Sequence, residues 1–123
     1  MKVLITDVAL VPYTHAQFEK IASKDCDVVV LLPEVSDIGK NVKEYEPGFH
    51  AYKIRHSRVR KMWYGKHALI DLKKTLIEES PDVLVVVWPY LLHLFFDRTI
   101  FRVINKNKIR LVIREIPFQI PPF

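Results

Sequence analysis

Pro81-Asp-Val-Leu-Val-Val-Val-Trp-Pro-Tyr90 is the stretch on which the fold turns. Five valine or leucine residues follow one another with no polar residue between them. A run that short and that apolar predicts a strand covered on both faces, as the strands of a parallel sheet are. Upstream, Ala68, Leu69, Leu72, Leu76 and Ile77 recur at helical spacing, and Ser80-Pro81 stops the helix because proline disfavours the α region for its predecessor. Downstream, Leu91 to about Asn105 reads as one long helix with Arg98 and Arg102 on an exposed face. Asn105-Lys-Asn-Lys108 makes a turn, and Ile109 to Ile113 is the last strand.

The amino-terminal half repeats the pattern. Lys2-Val-Leu-Ile-Thr-Asp7 is a short apolar first strand ending in a polar residue. Thr14-His-Ala-Gln17 fits a capping box, and the helix it opens runs to about Ser23 with Phe18, Ile21 and Ala22 inward. Val28 to Leu32 is a second apolar strand closed by Pro33; Glu34 to Gly48 reads as an irregular connection. Phe49-His-Ala-Tyr-Lys-Ile54 alternates and predicts a third strand nearer an edge. Strands and helices alternating at crossover lengths imply right-handed βαβ units. The expected architecture is therefore α/β and Rossmann-like: one domain over residues 1–123, a mainly parallel sheet, helices on both faces.

Composition narrows the class. Half of the residues are hydrophobic, enough for a core that buries roughly two-thirds of the extended-chain surface. The single cysteine, Cys26, cannot pair within the chain, which suits a reducing, cytoplasmic setting. The apolar run that follows Met1-Lys2 is too brief for a signal peptide. The longest uncharged run, Val83 to Phe96, is shorter than the roughly 20 apolar residues of a spanning helix. Charge is concentrated: between Lys53 and Lys74 eight lysines and arginines stand against Asp71 alone. Such a patch attracts anionic surfaces.

Ligands of open parallel sheets bind beyond the carboxyl ends of the strands. That rule selects Asp7, Tyr13, Thr14 and His15 after the first strand, and Glu34 after the second. It also selects Trp88, Tyr90 and His93 after the Val83–Val87 run, and Arg114-Glu115 after the last strand. His15 at a helix start can remove a proton from a bound hydroxyl, and a histidine there can equally pack or meet water. Trp88 and Tyr90 suit an aromatic platform or a packed crossover corner. His93, one turn into an apolar helix, reads as a half-buried packing residue. None of the three glycines follows the first strand, so neither a dinucleotide fingerprint nor a P-loop is present. No His/Cys cluster has metal-ligand spacing, and no metal or cofactor is expected. Asp7 stands alone and Arg114 follows the last strand, a poor match to a response receiver, which pairs acids at the first place and sets lysine at the second.

In their order, Met1-Lys-Val-Leu-Ile-Thr6, Tyr13-Thr-His-Ala-Gln-Phe18, Asp27-Val-Val-Val-Leu-Leu-Pro-Glu34, Pro81 to Tyr90 and Ile109-Arg-Leu-Val-Ile-Arg-Glu115 resemble one known pattern. It is that of the N-terminal domain of GT-B glycosyltransferases of the family 4-like group. The resemblance implies one half of a GT-B architecture, in which this domain receives a lipid-linked or polysaccharide acceptor. A C-terminal domain, which this chain lacks, would bind the nucleotide sugar. It implies His15 as the catalytic base or acceptor-orienting group, with Tyr13, Thr14, Glu34, Trp88, Tyr90, Arg114 and Glu115 around the acceptor. Two features depart from the group: no glycines follow the first strand, and Arg114 stands where many members have histidine.

The basic window adds a second expectation. Arg58, Arg60 and Lys61 run into Met62-Trp63-Tyr64, and cations beside an interfacial aromatic suit peripheral attachment to an anionic membrane. The alternative function is accordingly a membrane-associated interaction subunit that recruits a separate catalytic chain. A third reading is a small-ligand module of flavodoxin-like shape. No nucleic-acid-binding module surrounds the patch, so nucleic acid is not an expected partner. Phe118, Ile120 and Phe123 are the natural contacts of a homodimer.

Overall fold

A computed structural model describes residues 1–8, 10, 12–34, 51–63 and 67–114. In chain order the elements are β1 (Lys2–Thr6), α1 (Pro12–Ala22), β2 (Asp27–Pro33), β3 (Lys53–Ser57), β4 (Val59–Lys61) and β5 (His67–Leu69). Then come α2 (Leu72–Glu79), β6 (Val83–Val87), α3 (Trp88–Phe96), α4 (Arg98–Lys106) and β7 (Arg110–Arg114). The apolar runs pair as parallel strands in the order β3-β2-β1-β6-β7, a Rossmann-like α/β sheet. β1 lies at its centre, with Val3 opposite Val28 on one side and Val83 on the other.

Alternate residues of each strand serve the two faces. Val3, Ile5, Val28, Val30 and Leu32 pack with Phe18 of α1 and with Tyr52. Leu4, Val29, Leu31, Leu84 and Val86 form the larger core with Leu72 and Leu76 of α2, Leu91 and Leu94 of α3, and Ile100 and Ile104 of α4. The strands are thus covered on both sides, which is why their sequences read as unbroken apolar runs rather than alternating ones.

Several local expectations are corrected. α1 begins at Pro12, whose fixed φ suits a first helical turn, so Thr14 lies inside the helix rather than at its cap. The helix expected from Leu91 to Asn105 is two helices. Asp97 is extended, with φ −124° and ψ 94°, and its side chain accepts from the Thr99 amide at 3.0 Å to start α4 afresh. The basic window holds an antiparallel ladder, β4 with β5, that pairs Arg60 with Ala68. Ala68 and Leu69, expected in a helix, belong to that ladder. The third strand is Lys53–Ser57, at the sheet edge and displaced toward the carboxyl end from its expected place; residues 49 and 50 lie outside the described residues.

Candidate functional site

The chain steps from β1 through β2 to β3 on one side, then returns to lay β6 and β7 on the other. Strand order therefore reverses between β1 and β6, where an open α/β sheet leaves a crevice at its carboxyl ends. Thr6 staples the two strands together there: its hydroxyl donates to the Val85 carbonyl at 3.3 Å and accepts from the Val87 amide at 3.1 Å. One residue on, the buried Asp7 carboxylate accepts from the Val8 amide at 2.8 Å and from Nη1 of Arg114 at 3.3 Å.

From that pair the cluster extends along α1. The Arg114 guanidinium lies over the Phe18 ring, 5.6 Å from its centroid. Phe18 meets the Tyr52 ring edge-on at 5.5 Å, and the Tyr52 hydroxyl shares a 2.5 Å hydrogen bond with Nδ1 of His15. Asp7, Arg114, Phe18, Tyr52 and His15 are thus one contiguous set that starts at the switch point and runs along the inner side of α1 to Tyr52, just before β3. Tyr52 is buried while His15 is half-buried, so the phenol fixes the orientation of a ring that still reaches solvent. A groove of about 390 Å³, lined by Val3, Ile5, Phe18, Ile21, Val85 and Arg114, starts at this cluster and runs beside α1.

The remaining predicted residues fall at different depths. Tyr13 is exposed on the first turn of α1, and Thr14 beside it is buried. Glu34 is exposed just beyond β2, its amide held by the Ser57 carbonyl at 2.8 Å. Trp88 opens α3 at the end of β6 and is half-exposed, whereas Tyr90 is fully buried in the larger core. Glu115 lies outside the described residues. Asp7, selected by the strand-end rule though given no acceptor role, completes the cluster with Tyr52, which the rule did not select. Tyr52 carries no such signal, because the segment that brings it to α1 leaves no mark in local sequence.

The basic residues separate into two kinds. Arg58 is engaged by Asp71 through Nη2 at 2.8 Å and Nε at 3.2 Å. This raises the guanidinium above its ordinary pKa and lowers that of the carboxyl, chiefly through the hydrogen bond they share. Arg60 and Lys61 project from β4 into solvent. Trp63 is 79 % exposed and packs edge-on against Phe96 at 5.1 Å. No helix of the described residues is long and apolar enough to cross a membrane. Among the described residues no three His, Cys, Asp or Glu side chains gather into a metal site.

Comparison with protein-family models, with curated proteins and with solved structures returns no match. The chain is a small α/β domain built on a five-stranded parallel sheet.

Proposed function

We propose that this domain is the acceptor-binding half of a GT-B-type glycosyltransferase, working with a donor-binding domain that supplies the nucleotide sugar. The observation that carries the reading is the continuous polar and aromatic cluster, Asp7–Arg114–Phe18–Tyr52–His15, that begins at the β1/β6 switch point and follows α1. Such a crevice is where a Rossmann-like sheet takes a ligand. An imidazole held on one side by a phenol presents its other nitrogen to an acceptor hydroxyl, which it can orient or deprotonate. Arg114 keeps guanidinium N–H groups beyond the one given to Asp7, and these suit acceptor oxygens. Tyr13 and Trp88 offer exposed ring faces on which an acceptor sugar can stack. The acceptor is lipid-linked or polysaccharide.

The reading is tested by two-dimensional NMR of the chain titrated with soluble oligosaccharides and with octyl glycosides. It expects shifts centred on His15, Tyr52 and Arg114, lost in His15→Ala. Shifts confined to other surfaces, or none, overturn it, as would sugar transfer from a nucleotide donor by this chain alone.

A second reading, a membrane-associated subunit that recruits a catalytic chain, rests on a different observation. Trp63 and Phe96 form an exposed aromatic pair, and the exposed cations Arg60 and Lys61 stand just before Met62-Trp63 in the chain. Amphipathic aromatics beside cations are what an anionic bilayer surface binds.

A further inference from the structure

On the sheet face away from α1, helices α2 and α4 lie side by side with a channel of about 400 Å³ between them. Its floor is Ile77 of α2 and Val103 of α4, and Ile77 is 55 % exposed although it is a large aliphatic residue. Its rims carry Lys73 from α2 and Arg102 and Lys106 from α4, and no carboxylate lines it. Elsewhere six cations are matched, Lys2, Lys53 and Arg55 to Glu79, Arg58 to Asp71, Lys74 to Glu78, and Arg114 to Asp7, and the other unmatched ones among the described residues do not converge on an apolar groove. Lys73, Arg102 and Lys106 make no ion pair among the described residues. Asp97, the acid beside α4, feels the Lys73 charge from beyond ion-pair distance, and spends Oδ1 on the amide and hydroxyl of Thr99.

We infer that this channel seats an acidic amphipathic helix of a partner protein. Three properties select that occupant. The floor is aliphatic, so it repays burial of leucine-like side chains and gives nothing to a bare phosphate. The site is concave between two helices, and a flat bilayer cannot reach Ile77 and Val103 while touching both rims. Arg102 and Lys106 stand one helical turn apart with Lys73 facing them, a spacing that meets carboxylates at i and i+4 on an incoming helix. The result is a third helix laid in a groove, its apolar stripe down and its acids against the rims. The channel lies across the sheet from His15, so it is independent of the acceptor crevice.

The test uses the full chain and a fluorescein-labelled synthetic helix of about 18 residues, with leucine at i, i+3, i+4 and i+7 and glutamate beside it. Fluorescence anisotropy should show saturable binding that weakens as salt rises and is absent for the same peptide with lysine in place of glutamate. Arg102→Glu/Lys106→Glu should weaken it by at least about tenfold, since both rim charges then repel. Lys24→Glu, on the exposed turn after α1, should leave it unchanged. Both reversed residues are exposed, and unchanged thermal melting certifies that the variant is folded. Equal binding by the double variant, or no saturable binding to the wild type, overturns the inference. So does binding of phosphatidylglycerol vesicles or tripolyphosphate, but not of the peptide, through Arg102 and Lys106.

Discussion

Arg114, the last residue of β7, reaches across the end of β6 to place Nη1 3.3 Å from Oδ2 of Asp7, the residue that follows β1. Two strand spacings separate β1 from β7, roughly 9–10 Å, a gap that only a long side chain closes. The pair therefore ties the edge strand to the sheet centre at the point where the candidate crevice opens. Both side chains are largely withdrawn from water, so removing Arg114 takes a cation away from a buried carboxylate. Arg114→Ala should destabilise the fold by about 2–4 kcal/mol. In a double-mutant cycle with Asp7→Asn, urea unfolding should return a coupling energy above about 1 kcal/mol. Additive losses would mean that the two residues act separately.

Glu79 does comparable work at the end of α2. Its buried carboxylate accepts Lys53 at 2.8 Å and Arg55 at 3.2 Å, with Lys2 at 2.9 Å. The Lys53 hydrogen bond is the largest cause that holds its pKa down to about 2, against an opposing burial cost. A carboxyl with a depressed folded pKa stabilises the protein above its unfolded value near 4.5, and that contribution is lost as pH falls through about 2. Glu79→Gln should cost about 2–3 kcal/mol at neutral pH. The gap between wild type and variant should close progressively as urea titrations are taken from about pH 5 toward pH 2. A gap that stays constant with pH would assign the loss to packing.

His93 also loses stability in acid, but from burial rather than ion pairing and starting at a higher pH. It is buried in α3, its Nδ1 has no hydrogen-bond partner among the described residues, and Nε2 lies 3.6 Å from Asp97. Burial pushes its pKa below the ordinary 6.5, and the Asp97 charge only partly offsets this. The folded state therefore holds the neutral ring, and the unfolded state binds the proton more readily. Stability is complete above pH 6.5 and declines as pH falls from there toward the depressed folded value. His93→Leu should remove that decline and raise stability at mildly acid pH by about 1 kcal/mol, since an apolar isostere leaves no orphaned nitrogen. Unfolding midpoints of both proteins at about pH 5 and pH 8 check it; a parallel acid loss in the variant would exonerate His93.

The sheet was legible because its strands announce themselves. Val28 to Leu32 and Val83 to Val87 are apolar on both faces, and only a parallel sheet between two helical layers gives such strands a home. What stayed hidden depends on single residues against a strong background. Asp97 breaks Leu91–Asn105 into two helices, yet it sits within a helical periodicity that continues across it. The β4–β5 ladder is only three pairs long, Val-Arg-Lys against His-Ala-Leu, too short to show the apolar alternation that marks a strand. In the candidate site, His15 and Arg114 were reachable by the strand-end rule. Their coupling through Phe18 and Tyr52 was not, because it depends on how α1 sits against the segment before β3. Local sequence carries no record of that approach.

The exposed pair of Trp63 and Phe96 refines the test of membrane attachment. Arg58, though part of the same basic run, is held by Asp71, so replacing it disturbs the β4–α2 junction as well as the surface charge. Arg60 and Lys61 carry no such structural duty and are the better probes. Each cation near an anionic bilayer contributes about 1 kcal/mol, so Arg60→Gln/Lys61→Gln should lower partitioning onto phosphatidylglycerol vesicles by roughly 30-fold. Trp63→Ala should lower it further without altering the melting temperature, because a side chain 79 % exposed gives little to the core. Flotation of the three proteins with vesicles of graded anionic content reads both effects. Recovery in the lipid fraction that is indifferent to all three residues would assign this face no membrane role. A loss seen only with the charge variant would make the contact purely electrostatic and leave the aromatic pair to another partner.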